Sequence, residues 1–258
     1  MLGAIAGDII GSTREFAPVL HKVFELLPED SFPTDDTLLT IEIARWILDG
    51  GDLVDAFHAC VENHPDGGWG ERFMYWADAK QRAPYNSFGN GSAMRVSPVG
   101  WAFDSAASVL EAAERSAAIT HNHPEGIKGA QAVALAVFMG RTGASKGAIR
   151  DELTSRFGYA LRATIDELRP HSRFDETCQG SVPQAIVAFL DSTDWEDAVR
   201  NAVSLGADAD TQACIAGGIA EAFYDGVPES VREFAFSLLD ADARSIVERF
   251  EARCMPAA

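Results

Sequence analysis

Positive charge is scarce in this chain. Its 258 residues hold 21 Lys or Arg against 39 Asp or Glu, a formal net charge of -18 at pH 7. A field of that sign opposes nucleic acid and anionic membrane surfaces, so neither is expected as a partner. A phosphate-bearing ligand would need a local cation or backbone donors to offset the repulsion, and bound divalent metals would supply this. An acidic, soluble surface alone would give the same composition. Cysteine is scarce as well: Cys60, Cys178, Cys214 and Cys254 are scattered and form no Cys-x-x-Cys. That argues against a disulfide scaffold or zinc knuckle and makes a reduced, cytoplasmic compartment the default expectation. No stretch approaches the roughly 18 consecutive apolar residues of a membrane span. The first residues, Met1 to Asp8, carry no basic segment and reach an acid at once, so they do not read as a signal peptide.

Strand-like alternation is nearly absent too, and what is present is helical periodicity. Leu2 to Ile10 carries Gly3, Gly7 and, just beyond, Gly11 on one face, where another backbone could approach closely. Asp8 lies inside this apolar segment and needs a partner if buried. Pro33 disfavours helix before it and Thr34 is a good N-cap, so a helix is predicted from Asp35 to Leu48. Asp52 caps a run through Phe57 and Val61, and a further helix passes through Phe73 and Trp76. Helices are then predicted at about 104–118, 124–140, 145–157, 160–168, 180–190, 194–204, 211–224, 229–239 and 241–252, with Pro183 in a first turn. No linker, low-complexity tract or composition shift divides the chain. One all-α domain over residues 1–258, acting as a monomer, is the economical expectation.

Two acid-threonine knots stand out. Thr34-Asp35-Asp36-Thr37 and Asp208-Ala209-Asp210-Thr211 each open an apolar helix. Acids in a first helical turn favour the dipole, so capping alone accounts for each knot taken singly. Together they form an all-oxygen donor set with no cysteine beside it, which suits hard cations such as Mg²⁺, Mn²⁺ or Ca²⁺ rather than zinc. Two acid pairs also suit a two-metal site. A third motif, Ser87-Phe88-Gly89-Asn90-Gly91-Ser92, reads either as a diphosphate cradle before a helix or as a tight turn with Ser92 as cap. In Thr120-His121-Asn122-His123-Pro124, a histidine could stack on a base or sugar, or could be a solvated or capping residue.

In combination these motifs resemble the ADP-ribosylglycohydrolase family. The match rests on Gly3 to Gly11 with Glu15 after it, Thr34 to Thr37, Gly89-Asn90-Gly91-Ser92-Ala93-Met94-Arg95, and Asp208 to Thr211 followed by Gly217-Gly218. The resemblance implies a compact orthogonal helical bundle with two divalent cations, Mg²⁺ or Mn²⁺. By that analogy Thr34, Asp35, Asp36, Asp208, Asp210 and Thr211 hold the metals, and Glu15 is a mobile acid near them. Asn86, Ser87, Phe88, Asn90 and Gly91 contact diphosphate and ribose, His121 packs on adenosine, and Gly70 is a further phosphate contact. Asn86 stands where relatives often have glycine. The implied activity is hydrolysis of the bond between ADP-ribose and an acceptor. The acceptor would be a protein side chain such as arginine or serine, or a small conjugate. Asp36 or Glu15 would take the proton from water, with Asp35 and Asp210 also catalytic. A two-metal phosphohydrolase and a non-enzymatic ADP-ribose binder are the alternatives on the same residues.

Overall fold

In a computed structural model, residues 1–255 are described, and they form fifteen helices with no strand among them; the last three residues of the expected 1–258 domain lie outside this range. The only β pairing among the described residues is an isolated bridge between Gly89 and Thr177. None of the helices is long and apolar enough to cross a membrane. All four cysteines are free thiols.

Two helices make the centre. Helix α1 (Leu2–Gly11) is buried along its whole length, and α13 (Ala209–Tyr224) along nearly all of it. They run antiparallel in close contact, because each glycine of α1 meets backbone. A Cβ on Gly3 would stand 2.5 Å from the Gly217 carbonyl oxygen, and one on Gly11 would stand 2.6 Å from the Ala209 oxygen. Gly7 presses as closely on Ala213. The every-fourth-residue glycines are therefore a packing surface, as the sequence predicts. The pairing also brings the C-terminal end of α1, with Asp8, against the N-terminal end of α13, with Asp210.

The other helices wrap this pair. Helix α2 (Asp35–Asp49) starts at the cap Thr34, whose hydroxyl accepts from the Asp36 N–H. Helix α8 (Pro124–Arg141) packs against α13 and also against α7 (Ala106–Ala118). Helix α11 (Cys178–Leu190) and α12 (Trp195–Val203) also pack against α13 and against each other. Short helices α5 (Gly91–Met94) and α6 (Ser97–Ala102) connect the loop after Pro84 to the core.

Three local expectations need correction. The helix predicted at 160–168 is a single turn, α10 (Ile165–Leu168). The left-handed Gly158 ends the preceding helix α9 (Lys146–Phe157), and a capping box from Thr164 to Glu167 delays the next start. Tyr159 and Leu161 are buried one at a time, without helical periodicity. Helix α11 begins at Cys178 under a Thr177 cap, which moves Pro183 from the first turn into the helix. Ser92 is not a cap: it lies within α5 and donates to the Gly126 carbonyl at 2.8 Å.

Candidate active site

The site is built at the end of the α1–α13 contact, where three helix termini meet. Asp8 points out of α1 toward the start of α2 and caps it from outside. Its carboxylate accepts from the Thr34 N–H at 3.0 Å, the Thr37 N–H at 3.1 Å and the Thr34 hydroxyl at 2.7 Å. Asp36, in the first turn of α2, accepts from the Thr211 hydroxyl at 3.4 Å, which ties α2 to α13. Its second oxygen, Oδ1, is buried and has no hydrogen-bond partner among the described residues. Asp208 precedes α13 but makes no side-chain cap bond; it accepts instead from Asn90 Nδ2 at 2.7 Å.

Two carboxylate triads result. Oxygens of Asp8, Asp36 and Asp210 lie within 4.8 Å of one another, and so do oxygens of Glu15, Asp208 and Asp210. Asp210 belongs to both. None of these acids is paired with Lys or Arg among the described residues. The electrostatic consequence is large. Burial, then the Asp210 charge, pushes the Asp8 carboxyl up to about 7. Burial followed by Asp210, Glu176 and Asp8 pushes the half-buried Glu15 up to about 7 as well. Asp35, Asp36 and Asp208 are held well above the usual carboxylate range, with burial the first cause in each case and neighbouring acids next.

Buried like charges without counter-charge are costly, and protonation is the response available to the protein alone. A divalent cation in each triad would relieve the same repulsion and give Asp36 Oδ1 its missing partner. The donor set is entirely oxygen, which fits Mg²⁺ or Mn²⁺ and not a thiolate-seeking metal.

The loop Ser87 to Gly91 forms the adjoining wall. Its backbone is stapled to the segment before α11, with the Asn90 N–H donating to Glu176 O at 2.7 Å and the Cys178 N–H to Phe88 O at 2.9 Å. Asn90 then reaches both Ser181 and Asp208 with its side-chain amide. Loop and acids are thus one connected structure.

A model of the ADP-ribosylglycohydrolase family matches residues 1–255. The chain belongs to the ADP-ribosylglycohydrolase family. ADP-ribosylhydrolase ARH3 of Homo sapiens is 30% identical, over 89% of this chain and 86% of that protein. Its counterpart in Mus musculus is 28% identical, over 97% of this chain and 90% of that protein. ADP-ribosylarginine hydrolase Tri1 of Pseudomonas putida is 26% identical, over 92% and 73% respectively. A solved chain from an ADP-ribosylglycohydrolase-related protein complex superposes with a TM-score of 0.74 at 23% identity, covering 98% of this chain and 97% of that one, so the all-α fold is the same.

In this ADP-ribosylglycohydrolase family member, Thr34, Asp36, Asp208, Asp210 and Thr211 come together from the two sequence knots. Asp35 is half-buried and lies outside both triads, although the Asp210 and Asp8 charges act on it. Asp8 stands in the first triad, where sequence reasoning assigned no ligand. The signal for it was an acid inside an otherwise apolar glycine-faced helix. Gly70 faces open space, and the glycine loop approaches the acids through Gly68, where a Cβ would sit 3.8 Å from Asp35 Oδ1. Asn86 and Phe88 are exposed, and Ser87 is buried. Asn86 takes a positive φ of 56°, the conformation that glycine adopts most easily, and its N–H donates to Asn122 Oδ1. His123 is the N-cap of α8, whereas His121 is buried, so the solvated reading fails for it.

Proposed function

We propose that this chain is a divalent-metal-dependent hydrolase that releases ADP-ribose from an acceptor, working as a single domain. The observation that carries this is the pair of carboxylate triads sharing Asp210, unpaired by any basic residue among the described residues and joined through Asn90 to the Ser87–Gly91 loop. The activities for which the relatives are named, ADP-ribosylhydrolase and ADP-ribosylarginine hydrolase, support the same reaction class.

Two cations, Mg²⁺ or Mn²⁺, would be held by Asp8, Asp36, Asp208, Asp210, Thr34, Thr211 and the adjacent Asp35. When bound they supply positive charge for the ribose hydroxyls and for an attacking water. The protein's own groups do the rest. Asn90, Gly91 and Ser87 hold the diphosphate–ribose portion against the acids, with Phe88, Asn86 and His121 beside it. Carboxylates around the anomeric carbon stabilise the positive charge that develops as the glycosidic bond lengthens. Glu15, half-buried beside Asp208 and Asp210, is the candidate to accept a proton at its carboxylate oxygen, and Asp36 is the second candidate for that role.

The test is a panel of ADP-ribosylated arginine, serine and O-acetyl substrates assayed with Mg²⁺ and with Mn²⁺. Release of ADP-ribose from at least one supports the proposal. Release of AMP instead would identify a phosphohydrolase, and ADP-ribose binding without any turnover would identify a binding protein.

A further inference from the structure

Among the described residues Arg95 is the one fully buried Lys or Arg side chain, and it has no carboxylate partner there. Its guanidinium lies over the Phe57 ring at 4.7 Å, and Nη2 donates to Ser116 O at 3.1 Å and to Thr120 Oγ1 at 2.9 Å. Nε and Nη1 have no hydrogen-bond partner among the described residues. An apolar side chain would pack on Phe57 without leaving buried donors unmet, so packing does not explain an arginine here.

The chain of contacts from Arg95 has a direction. Arginine can only donate. The Thr120 oxygen therefore accepts from Arg95, and its single proton is left for His121 Nδ1, 2.8 Å away. The reverse arrangement, with Nδ1 protonated, would leave the proton of a fully buried hydroxyl with no acceptor among the described residues. Nδ1 is then the acceptor and the ring proton resides on Nε2. That nitrogen bonds no protein atom among the described residues. It faces the ligand loop: a Cβ at Gly91 would stand 3.2 Å from it and one at Gly89 3.6 Å, so the two glycines hold open backbone over this edge of the ring.

We propose that Arg95 and Thr120 form a one-directional hydrogen-bond relay that locks His121 as the Nε2–H tautomer, presenting that N–H to an acceptor oxygen of the ligand seated on the Gly89–Gly91 loop. Arg95 and Thr120 are positioning residues, acting through His121. The burial and the Arg95 and Arg72 charges that hold this imidazole well below its ordinary range keep it neutral, so the relay does not switch across physiological pH. The ligand half of the inference rests on the function proposed above; the tautomer half does not.

The test uses long-range ¹H–¹⁵N correlation spectra of the labelled full chain, with His121 assigned by its loss in His121→Gln, and calorimetry with ADP-ribose and Mg²⁺. The wild-type ring shows a protonated Nε2 and an unprotonated Nδ1. Thr120→Val, which keeps the shape and removes the hydroxyl, gives mixed tautomers and weakens ADP-ribose binding about tenfold, as does Arg95→Met, while Thr120→Ser restores both signals. Should Arg95→Met fail to fold, Thr120→Val and Thr120→Ser carry the comparison alone. A wild-type proton on Nδ1, or wild-type tautomer and affinity in Thr120→Val, overturns the relay. No ADP-ribose binding by the wild-type protein overturns the ligand half together with the function it rests on.

Discussion

Thr211 and Asp36 are 175 residues apart in the chain, yet the Thr211 hydroxyl donates to Asp36 Oδ2 at 3.4 Å. Through that contact the first turns of two helices face one another, and the acids beside them become one cluster. The cluster is held against its own repulsion by the core around it, which makes its behaviour testable in several ways.

Replacing one acid by its amide separates chemistry from folding. Asp36→Asn or Asp210→Asn is expected to lower kcat/KM at least about a hundredfold, the upper end of the loss when the support of a metal site is damaged. The same substitutions remove a like charge from the buried cluster, so the metal-free protein should melt no lower than wild type. Thermal melts in chelator and turnover assays on the same preparations check both halves. Retained turnover in the double variant would contradict the proposed role of these acids.

The acid cluster also sets a pH dependence in the absence of metal. Asp8 and Glu15 are raised to about 7 in the folded state, from ordinary values of 3.8 and 4.5. Between those limits the folded chain keeps protons that the unfolded chain has lost, so stability falls as pH rises from about 4 to about 7. The chelated protein should therefore melt at higher temperature at pH 5 than at pH 8. Saturating Mn²⁺ should narrow or invert the difference, adding about 2.7 kcal/mol at a hundredfold excess over Kd. Identical melts at both pH values in chelator would rule out this coupling.

Backbone contact between α1 and α13 gives a third prediction. Gly7→Ala places a methyl inside the Ala213 backbone, and neither helix can move without shifting Asp8 or Asp210. A loss of about 1–3 kcal/mol or more is expected, from overpacking. Gly147→Ala, in the first turn of α9 with only Ser145 Oγ nearby at 3.8 Å, should instead be neutral or slightly stabilising. Chemical denaturation of the two variants measures the contrast.

Asn90 links the Ser87–Gly91 loop to the acids, so Asn90→Ala should impair both proposed functions of the site. Loss of its bond to Asp208 is expected to weaken divalent-ion affinity by about 10–100-fold. ADP-ribose affinity should fall with it. Titration with Mn²⁺ followed by calorimetry distinguishes this from a loop effect confined to ADP-ribose.

Much of this was legible from local pattern. Thr34 is the cap that its place after Pro33 suggests, and the same hydroxyl donates to Asp8. Asp208 looks equally like a cap and is not one, because Asn90 offers it a better-placed donor from 118 residues away. His121 and His123 are near-identical in sequence setting. One became a cap and the other was buried beside Arg95, since burial depends on what α5 and α7 bring alongside. Asp8 could be flagged only as a buried acid in need of partners.

By itself the sequence determined most of the helices and of their starts, the 160–168 segment excepted, along with the all-oxygen character of the two knots. Those follow from periodicity, caps and prolines, which act within a few residues. Only the tertiary structure decided that Asp8 joins Asp36 and Asp210, that Asp35 lies next to the two triads and outside both, and that Gly68 rather than Gly70 approaches the acids. Those outcomes depend on the antiparallel fit of α1 glycines against the α13 backbone and on the loop stapled beside it. Such packing is set by surfaces some 200 residues apart, where no local rule operates.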